Sequence, residues 1–214
     1  MAIRNKTELL TKFATPIWIT RLVNVSTLNK KLLKFFYEQK KLDPEGIKRS
    51  SIFGWHSKDY QEKEIKKNEP YRKFFNKIRP CIQQISDDMG WNKKNFGYEV
   101  TSTWGIINPP FASNASHIHS NNLISAAYYV KWPKNGGRFV AQDPRNDALY
   151  YRARYSKITP LNEQQVAIQP ETGLIAMFPS FLRHWVEPNM SNEDRVIISF
   201  NINYYVKGRR EVRD

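Results

Sequence analysis

Histidines at two places in the chain could bind one metal ion. His117 and His119 stand two residues apart just before the apolar segment 123–130, and His184 follows the run 173–179. In a strand, side chains two residues apart point to the same face, about 7 Å from each other. Neutral imidazoles suit iron, zinc, copper or nickel. The sequence therefore predicts a metal site that forms when both regions fold together.

An arginine that opens the last apolar run could bind a carboxylate. Arg195 precedes the segment 196–200, which reads Val-Ile-Ile-Ser-Phe. A guanidinium offers a planar fork that matches a carboxylate at two points. A charged group at the start of so apolar a strand also needs a partner. The alternative is a surface ion pair with Glu193 or Asp194.

The elements that must position these residues are predicted as helices followed by strands. Apolar residues at helical spacing predict helices at 26–39 and 69–89. Apolar runs bounded by Gly and Pro turns predict strands at 13–23, 98–107, 123–132, 138–141, 174–178, 184–187 and 195–205. Segments 40–67 and 147–169 are polar and are interpreted as a loop and an insertion. This order indicates a mainly β protein with N-terminal helices, whose core is a double-stranded β-helix (jelly-roll, cupin-like).

The length of 214 residues fits one domain. Within it we expect a helical N-terminal part at about 1–95, a β-helix core at about 96–206 and a charged tail at 207–214.

Composition and charge narrow the class of protein. No apolar run approaches the roughly 20 residues of a membrane helix, and the first residues lack the apolar stretch of a secretory signal. The single cysteine, Cys81, excludes an internal disulfide. We therefore expect a soluble cytoplasmic protein with no membrane partner. The net charge of +14 could mark a nucleic-acid surface, but the lysines are spread over helices and loops, which favours solvated faces.

Short phrases along nearly the whole chain resemble one enzyme family. They read FATPIW at 13–18, GWHS at 54–57, HIH at 117–119 followed by SAAYYV at 125–130, QDPR at 142–145, and FPS at 178–180 followed by a distant histidine. In this order they resemble the 2-oxoglutarate and Fe(II)-dependent oxygenases of the prolyl-hydroxylase type, and more narrowly a group common in bacteria and their phages. The resemblance implies a hydroxylase that couples the decarboxylation of 2-oxoglutarate to succinate with oxidation of a substrate, in the cytoplasm of a bacterial or phage-infected cell.

The resemblance also implies a ligand set for Fe(II). The usual pattern is His-x-Asp followed by a distant histidine, which gives two histidines and one carboxylate. His119 stands at the aspartate position if His117 is the first ligand, and Asn121 stands there if His119 is the first. We expect His117, His119 and Asn121 to project from the same strand face, so geometry alone does not choose between them. We favour His117, His119 and His184, with Asn121 as the alternative third position. No catalytic residue beyond the metal site is predicted.

The same resemblance implies how 2-oxoglutarate is bound. Arg195 stands where the family has the basic residue that binds the distal carboxylate, and Tyr129 is similar in position to a tyrosine that donates a hydrogen bond to it. Ser199 lies on the same predicted strand face as Arg195 and could contribute. A shift of one residue in register would exchange Tyr129 with Tyr128.

Four further residues could line the substrate mouth or merely pack. Trp55 and His56 lie in a polar loop, Arg145 follows a turn, and Trp104 belongs to either the core or the pocket floor.

Two other classes of protein remain at this stage. One is a cupin-type three-histidine metal enzyme without 2-oxoglutarate, and the other is a basic nucleic-acid-binding protein that uses Trp and Tyr as stacking platforms. The substrate of the oxygenase is unknown from the sequence. A protein side chain or a small molecule is favoured, and the basic charge leaves nucleic acid open.

Overall fold

Two antiparallel sheets enclose the region where the histidines meet. A computed structural model describes residues 7–145 and 154–207, and these ranges contain eleven strands and three helices. The strands are β1 Trp18–Arg21, β2 Ser51–Ile52, β3 Trp55–His56, β4 Phe96–Asn108, β5 Ser113–His117, β6 Ile124–Lys131, β7 Phe139–Gln142, β8 Gln165–Ile168, β9 Leu174–Pro179, β10 His184–Val186 and β11 Arg195–Val206. The helices are α1 Ser26–Leu42, α2 Glu62–Lys67 and α3 Glu69–Asp88.

The strand order shows a sandwich in which the chain passes repeatedly between the sheets. The larger sheet has the order β1-β9-β6-β11-β4-β3, and the smaller one has the order β2-β5-β10-β7-β8. From β4 to β11 each strand lies in the other sheet from the strand before it, except β8, which pairs with β7, and this alternation is that of a jelly roll. The predicted fold class, a mainly β protein with a double-stranded β-helix core, is confirmed.

The two long helices cover the outer face of the larger sheet. Their apolar stripes share one core with the outward side chains of β6 and β11, and Phe74 of α3 lies 4.7 Å from the Tyr128 ring and 6.0 Å from the Phe200 ring. Gly105 of β4 lies under Phe36 of α1, so close that an added Cβ would overlap the Phe36 ring. In the described ranges no helix combines the length and apolar character needed to cross a bilayer.

The polar segments hold more structure than their sequences predict. Segment 40–67 contains β2, β3 and α2, and segment 147–169 contains β8. β2, β3 and β8 are edge strands of two to four residues, too short for an alternating apolar pattern to be recognised. Helix α2 is set by a capping box between Gln61 and Glu64 rather than by an apolar stripe. Residues 147–153 of the predicted insertion and 208–214 of the predicted tail lie outside the described residues.

Candidate metal centre

Three of the four histidines converge between the two sheets. His117 ends β5 and pairs directly with His184, which begins β10. Atoms that could bind a metal on His117, His119 and His184 all lie within 4.8 Å of one another. The Nε2 atoms of His119 and His184 are 3.4 Å apart. Two neighbouring ligands held at about 2.1 Å from one ion are about 3 Å apart, so this pair is close to the separation that chelation requires.

His119 reaches this cluster by a turn, not by the continuous strand face that the sequence predicted. β5 ends at His117, β6 begins only at Ile124, and Asn121 has a φ of 61°. The prediction that His117, His119 and Asn121 share one strand face is therefore wrong. Its physical reason is the polar run 120–122, because asparagine accepts left-handed turn conformations. The backbone N–H of His119 donates to the Ser180 carbonyl at 2.9 Å, which returns the residue to the site.

Hydrogen bonds to the main chain orient two of the three rings. The Nδ1 atoms of His117 and His184 lie 2.7 Å and 2.8 Å from the carbonyl oxygens of Ala115 and Leu182, respectively. A carbonyl only accepts, so each Nδ1 carries the proton and donates it. Each Nε2 is then left with a free lone pair, which is the form that binds a metal.

Burial keeps the three imidazoles neutral. It lowers the pKa of His184 to about 3, with His117 and then His119 adding to the effect. Burial and the neighbouring His117 lower the pKa of His119 to about 4, although a side-chain hydrogen bond with Asn201 opposes this. The pKa of His117 is also lowered, mainly by burial. All three rings are therefore neutral at neutral pH, with one ring nitrogen free to bind a metal.

An aromatic stack supports the cluster from the side of β4. The Trp104 ring lies 5.7 Å from the His119 ring and 5.5 Å from the His56 ring, nearly parallel to both. Trp104 belongs to the inner apolar cluster between the sheets, so it is a wall of the site. Trp55, by contrast, packs with the helices and donates to the Asp43 carbonyl at 2.7 Å. The suggested mouth role of Trp55 is wrong, because neighbouring strand residues point to opposite faces.

Arg195 is completely buried on the inner face of the larger sheet, with part of its guanidinium unpaired. Its Nη1 donates to the carbonyls of Gly136 and Glu187, whereas Nε and Nη2 have no partner among the described residues. Burial lowers the pKa of Arg195 to about 10, so the group stays charged at neutral pH. The surface ion pairs that the sequence allowed do not form, since Glu193 pairs with Lys131 and Asp194 accepts from the Tyr37 hydroxyl.

Tyr129 and Ser199 face the same interior as Arg195. Tyr129 is opposite Ile197 in the sheet register and belongs to the inner cluster, and its buried hydroxyl has no hydrogen-bond partner. Tyr128 points to the helices and donates to Asn29 at 2.7 Å, so the register assigns the inner position to Tyr129. Ser199, two strand positions from Ile197, is buried on this same face. The unpaired atoms on Arg195 and Tyr129 together form a buried donor set for an anion.

A glycine that sequence reasoning treated only as a turn residue makes room for Arg195. Gly137 has a φ of +84°, and a Cβ there would lie 2.7 Å from Nη1 of Arg195 and overlap the Glu187 carbonyl. The Gly-Gly pair before β7 was the available signal. Nothing in the sequence connected it to a residue 58 positions later (195 − 137).

A cleft lies at the end of the fold where β7 stops and β10 begins, and none of the three histidines borders it. Its volume is about 430 Å³, and it is bordered by Ile17, Arg145, Gln165 and Leu182, among others. Ala141, which also borders the cleft, pairs directly with His184. Arg145 forms a salt bridge with Asp143, with 2.6 Å between Nη2 and Oδ2. The suggested place of Arg145 near the mouth fits this cleft.

The matched family agrees with this geometry. Residues 102–201 match the model of a family described as "putative 2OG-Fe(II) oxygenase". The matched segment runs from β4 into β11 and contains the three histidines, Tyr129 and Arg195. This core belongs to the 2OG-Fe(II) oxygenase family. The protein is thus an oxidoreductase whose cofactors are Fe(II) and 2-oxoglutarate, as the resemblance predicted.

Solved structures share the fold of this oxygenase. A prolyl hydroxylase from Trichoplax adhaerens, in complex with a hypoxia inducible factor peptide fragment, is 13% identical with a TM-score of 0.61, over 92% of this chain and 87% of that one. A Pseudomonas putida prolyl-4-hydroxylase is 12% identical with a TM-score of 0.58, over 88% and 92%. HygX from Streptomyces hygroscopicus, with nickel and 2-oxoglutarate bound, is 10% identical with a TM-score of 0.56, over 88% and 83%. No curated protein matches the chain by sequence.

The residues of the site fit both cofactors. Three neutral imidazoles are suitable ligands for Fe(II). A buried, charged guanidinium with free N–H groups, next to a free phenol, suits a carboxylate. The cupin-type enzyme without 2-oxoglutarate is not favoured, because it would leave these donors unexplained.

Proposed function

We propose that the oxygenase holds Fe(II) with His117, His119 and His184 and binds the distal carboxylate of 2-oxoglutarate with Arg195, Tyr129 and Ser199. The observation that carries the proposal is that three of the four buried side-chain atoms without a partner among the described residues belong to this site, namely Nε and Nη2 of Arg195 and the hydroxyl of Tyr129. The fourth is the hydroxyl of Tyr71, in the core beneath the helices. Unpaired buried donors are costly, so they indicate a ligand. Asn121 remains the alternative third metal position.

Some residues of the site would bind the iron and the cosubstrate, and others would exclude water. With both cofactors bound, the site supplies the family's chemistry, in which decarboxylation of 2-oxoglutarate to succinate drives oxidation of a substrate. The histidines would fix the ion, and Arg195 would orient the cosubstrate by pairing with its far end. The inner apolar cluster around Tyr129 and Trp104 would keep water away from the reacting atoms.

We further propose that the substrate is a protein side chain or a small molecule that enters by the cleft bordered by Ala141, the strand partner of His184. The cleft volume of about 430 Å³ lies within the usual range for ligand sites, about 300–1,000 Å³. One protein of similar fold is complexed with a peptide fragment, which supports a peptide substrate.

The single Cys81 supports a cytoplasmic protein, in a bacterial or phage-infected cell. The core shared by the helices and the larger sheet supports one domain over 1–214.

Turnover of the cosubstrate tests the proposed function directly. Purified protein loaded with Fe(II) under oxygen should convert 2-oxoglutarate to succinate slowly even without a substrate, and a binding titration should detect the cosubstrate. The matched controls are protein treated with a chelator and the His184→Ala variant, in which we expect no succinate. Loaded wild-type protein that neither binds nor decarboxylates 2-oxoglutarate would contradict the proposal and support the cupin-type alternative.

A further inference from the structure

A row of buried polar side chains crosses the larger sheet behind His119. In the register of the strands, Asn201 of β11 lies opposite Ser102 of β4 on one side and Ser125 of β6 on the other. Ser180, which follows β9, completes the row through Ser125. Asn201, Ser125 and Ser180 are 5%, 1% and 0% exposed. Burying polar groups is unfavourable unless they form hydrogen bonds, so such a row needs a reason.

The hydrogen bonds of this row fix which way the Asn201 amide faces. The Ser125 hydroxyl donates to Oδ1 of Asn201 at 2.8 Å, and Nδ2 of Asn201 donates to the Ser102 hydroxyl at 3.3 Å. A hydroxyl has one proton, so Ser125 must accept from Ser180, at 2.7 Å. The amide oxygen is thus the atom that the row holds in place, and its second lone pair is available to an outside donor.

His119 is the ligand candidate whose ring has no main-chain acceptor in the described structure. His117 and His184 have the carbonyls of Ala115 and Leu182 at Nδ1. His119 adjoins the row, because its backbone N–H donates to the Ser180 carbonyl at 2.9 Å and its ring stacks on Trp104, two residues along β4 from Ser102. The Asn201 side chain raises the pKa of His119, as an acceptor of a ring proton does. Nε2 of His119 faces His184 at 3.4 Å. That orientation leaves Nδ1 for Asn201.

We infer that Asn201 is a positioning residue, whose amide oxygen accepts the Nδ1 proton of His119 and thereby directs the Nε2 lone pair to the metal. An outer hydrogen-bond acceptor fixes both the tautomer and the orientation of a histidine ligand. His119 lies between β5 and the turn at 120–121, outside the strands that hold His117 and His184. Trp104 packs against the ring face, and Asn201 would fix the rotation and the proton.

The inference rests on the proposed metal site, and substitutions of Asn201 test it separately. Asn201→Leu keeps the shape of the side chain but removes the acceptor, and we expect Co(II) affinity to fall about 10–100-fold. Asn201→Asp retains the acceptor and loses the amide donor, so we expect at least the wild-type affinity. The matched control is Asn29→Leu, another buried asparagine with two hydrogen bonds, located on the helix side of the sheet. It should bind Co(II) as wild type does.

Nitrogen NMR of the metal-free protein reports which ring nitrogen of His119 carries the proton. Substitution of Asn201 would not change this if Asn201 had only a structural role. With ¹⁵N-labelled histidine at pH 7.5, His119 should have its proton on Nδ1, and Asn201→Leu should shift it toward a mixture of tautomers. If the leucine variant does not fold, Ser125→Ala replaces it, because it removes the donor that holds Oδ1 and should loosen the same preference.

The outcomes separate two kinds of failure. No Co(II) binding by wild type and Asn29→Leu would overturn the metal site itself. Equal Co(II) affinity in all variants, or a proton on Nε2 of His119 in the metal-free wild type, would overturn the role of Asn201.

Discussion

At the residue scale, the proposed metal site has an imidazole, that of His119, where the family usually has a carboxylate. With His119 as the third ligand, the set is neutral, and bound Fe(II) keeps its full double charge within the protein. That charge should strengthen attraction for a dianionic cosubstrate, because Coulomb energies grow as water is excluded. The nearby burial of Arg195 adds a second positive group for the far end of the same molecule. The site is therefore electrostatically suited to anions before any substrate enters.

Loss of a ligand histidine should remove the metal while the fold survives. We expect about one Fe(II) per chain in wild type and none in His184→Ala or His119→Ala, since two remaining ligands bind weakly. Metal analysis after anaerobic loading, together with circular dichroism, checks this. Full metal content in either variant would contradict the ligand assignment.

The choice of third ligand can be decided by a paired comparison. His117→Ala should release more iron than Asn121→Ala, because imidazole binds Fe(II) far better than an amide does. The opposite order would identify Asn121 as the third position. The sequence left this choice open because both residues precede β6 at permissible spacing. In the structure His117 is in the cluster, and the Asn121 carbonyl accepts from Asn203 at 2.9 Å.

Arg195 should control cosubstrate affinity without affecting iron. Removing one side of a buried, hydrogen-bonded charge pair costs about 2–5 kcal/mol, so Arg195→Ala should weaken 2-oxoglutarate binding at least tenfold. Arg195→Lys should be intermediate, because it keeps the charge and loses the fork. Titration of 2-oxoglutarate into iron-loaded variants measures the effect, and metal analysis is the control. Unchanged 2-oxoglutarate affinity in Arg195→Ala would show that other residues bind the distal carboxylate.

At the element scale, the strongly periodic elements were predictable and the short ones were not. The helix stripes of α1 and α3 and the apolar runs of β6, β9 and β11 begin and end within a few residues of the sequence predictions. β2, β3 and β8 were missed because two to four residues are too few to establish an alternating pattern. The turn after β5 was missed because the spacing of His117 and His119 equally fits a strand. The row from Ser102 to Ser180 depends on register between distant strands, which no local pattern specifies.

Packing of β4 against α1 depends on a glycine, and this can be measured. Gly105→Ala would push a methyl group into the fully buried Phe36 ring, and overpacking of this kind typically costs about 1–3 kcal/mol. The control is Gly97→Ala on the same strand, where the Cβ would meet the exposed and movable Tyr205 side chain. Urea unfolding should show a lower free energy of unfolding for Gly105→Ala alone. Equal stability of both variants would show that α1 can shift to accommodate the methyl group.

At the scale of the whole molecule, the basic charge is spread out and partly paired. Among the described residues, basic side chains form twelve salt bridges, and most of them are solvent-exposed. We expect at most weak, sequence-independent binding to nucleic acid, which disappears as salt rises. Fluorescence anisotropy with labelled single and double strands at increasing ionic strength checks this. Tight binding that persists at 0.2 M salt would instead support a nucleic-acid substrate.

The stability of the whole molecule between pH 7 and 5 should depend on the protonation of its histidines. Histidine is the side chain that ordinarily titrates in this range, and the pKa of each of the four histidines in the chain is lowered, mainly by burial. In the unfolded chain the same rings take up protons near pH 6.5. The unfolded state then binds more protons than the folded state, so stability is full above about pH 6.5 and falls as the pH decreases.

The rings of His119 and His184 have pKa values of about 4 and about 3, so they remain neutral in the folded protein at pH 5. The following slope counts these two rings only. Below pH 6 the free energy of unfolding of the metal-free protein should therefore fall by roughly 3 kcal/mol per pH unit, since each such ring contributes about 1.4 kcal/mol. Urea unfolding at pH 7, 6 and 5 measures the slope. His184→Gln should flatten it, because one proton-binding group is lost from the unfolded chain. A stability that does not change between pH 7 and 5 would mean that the rings accept protons in the folded state. That result would contradict the assignment of His119 and His184 as buried, neutral side chains.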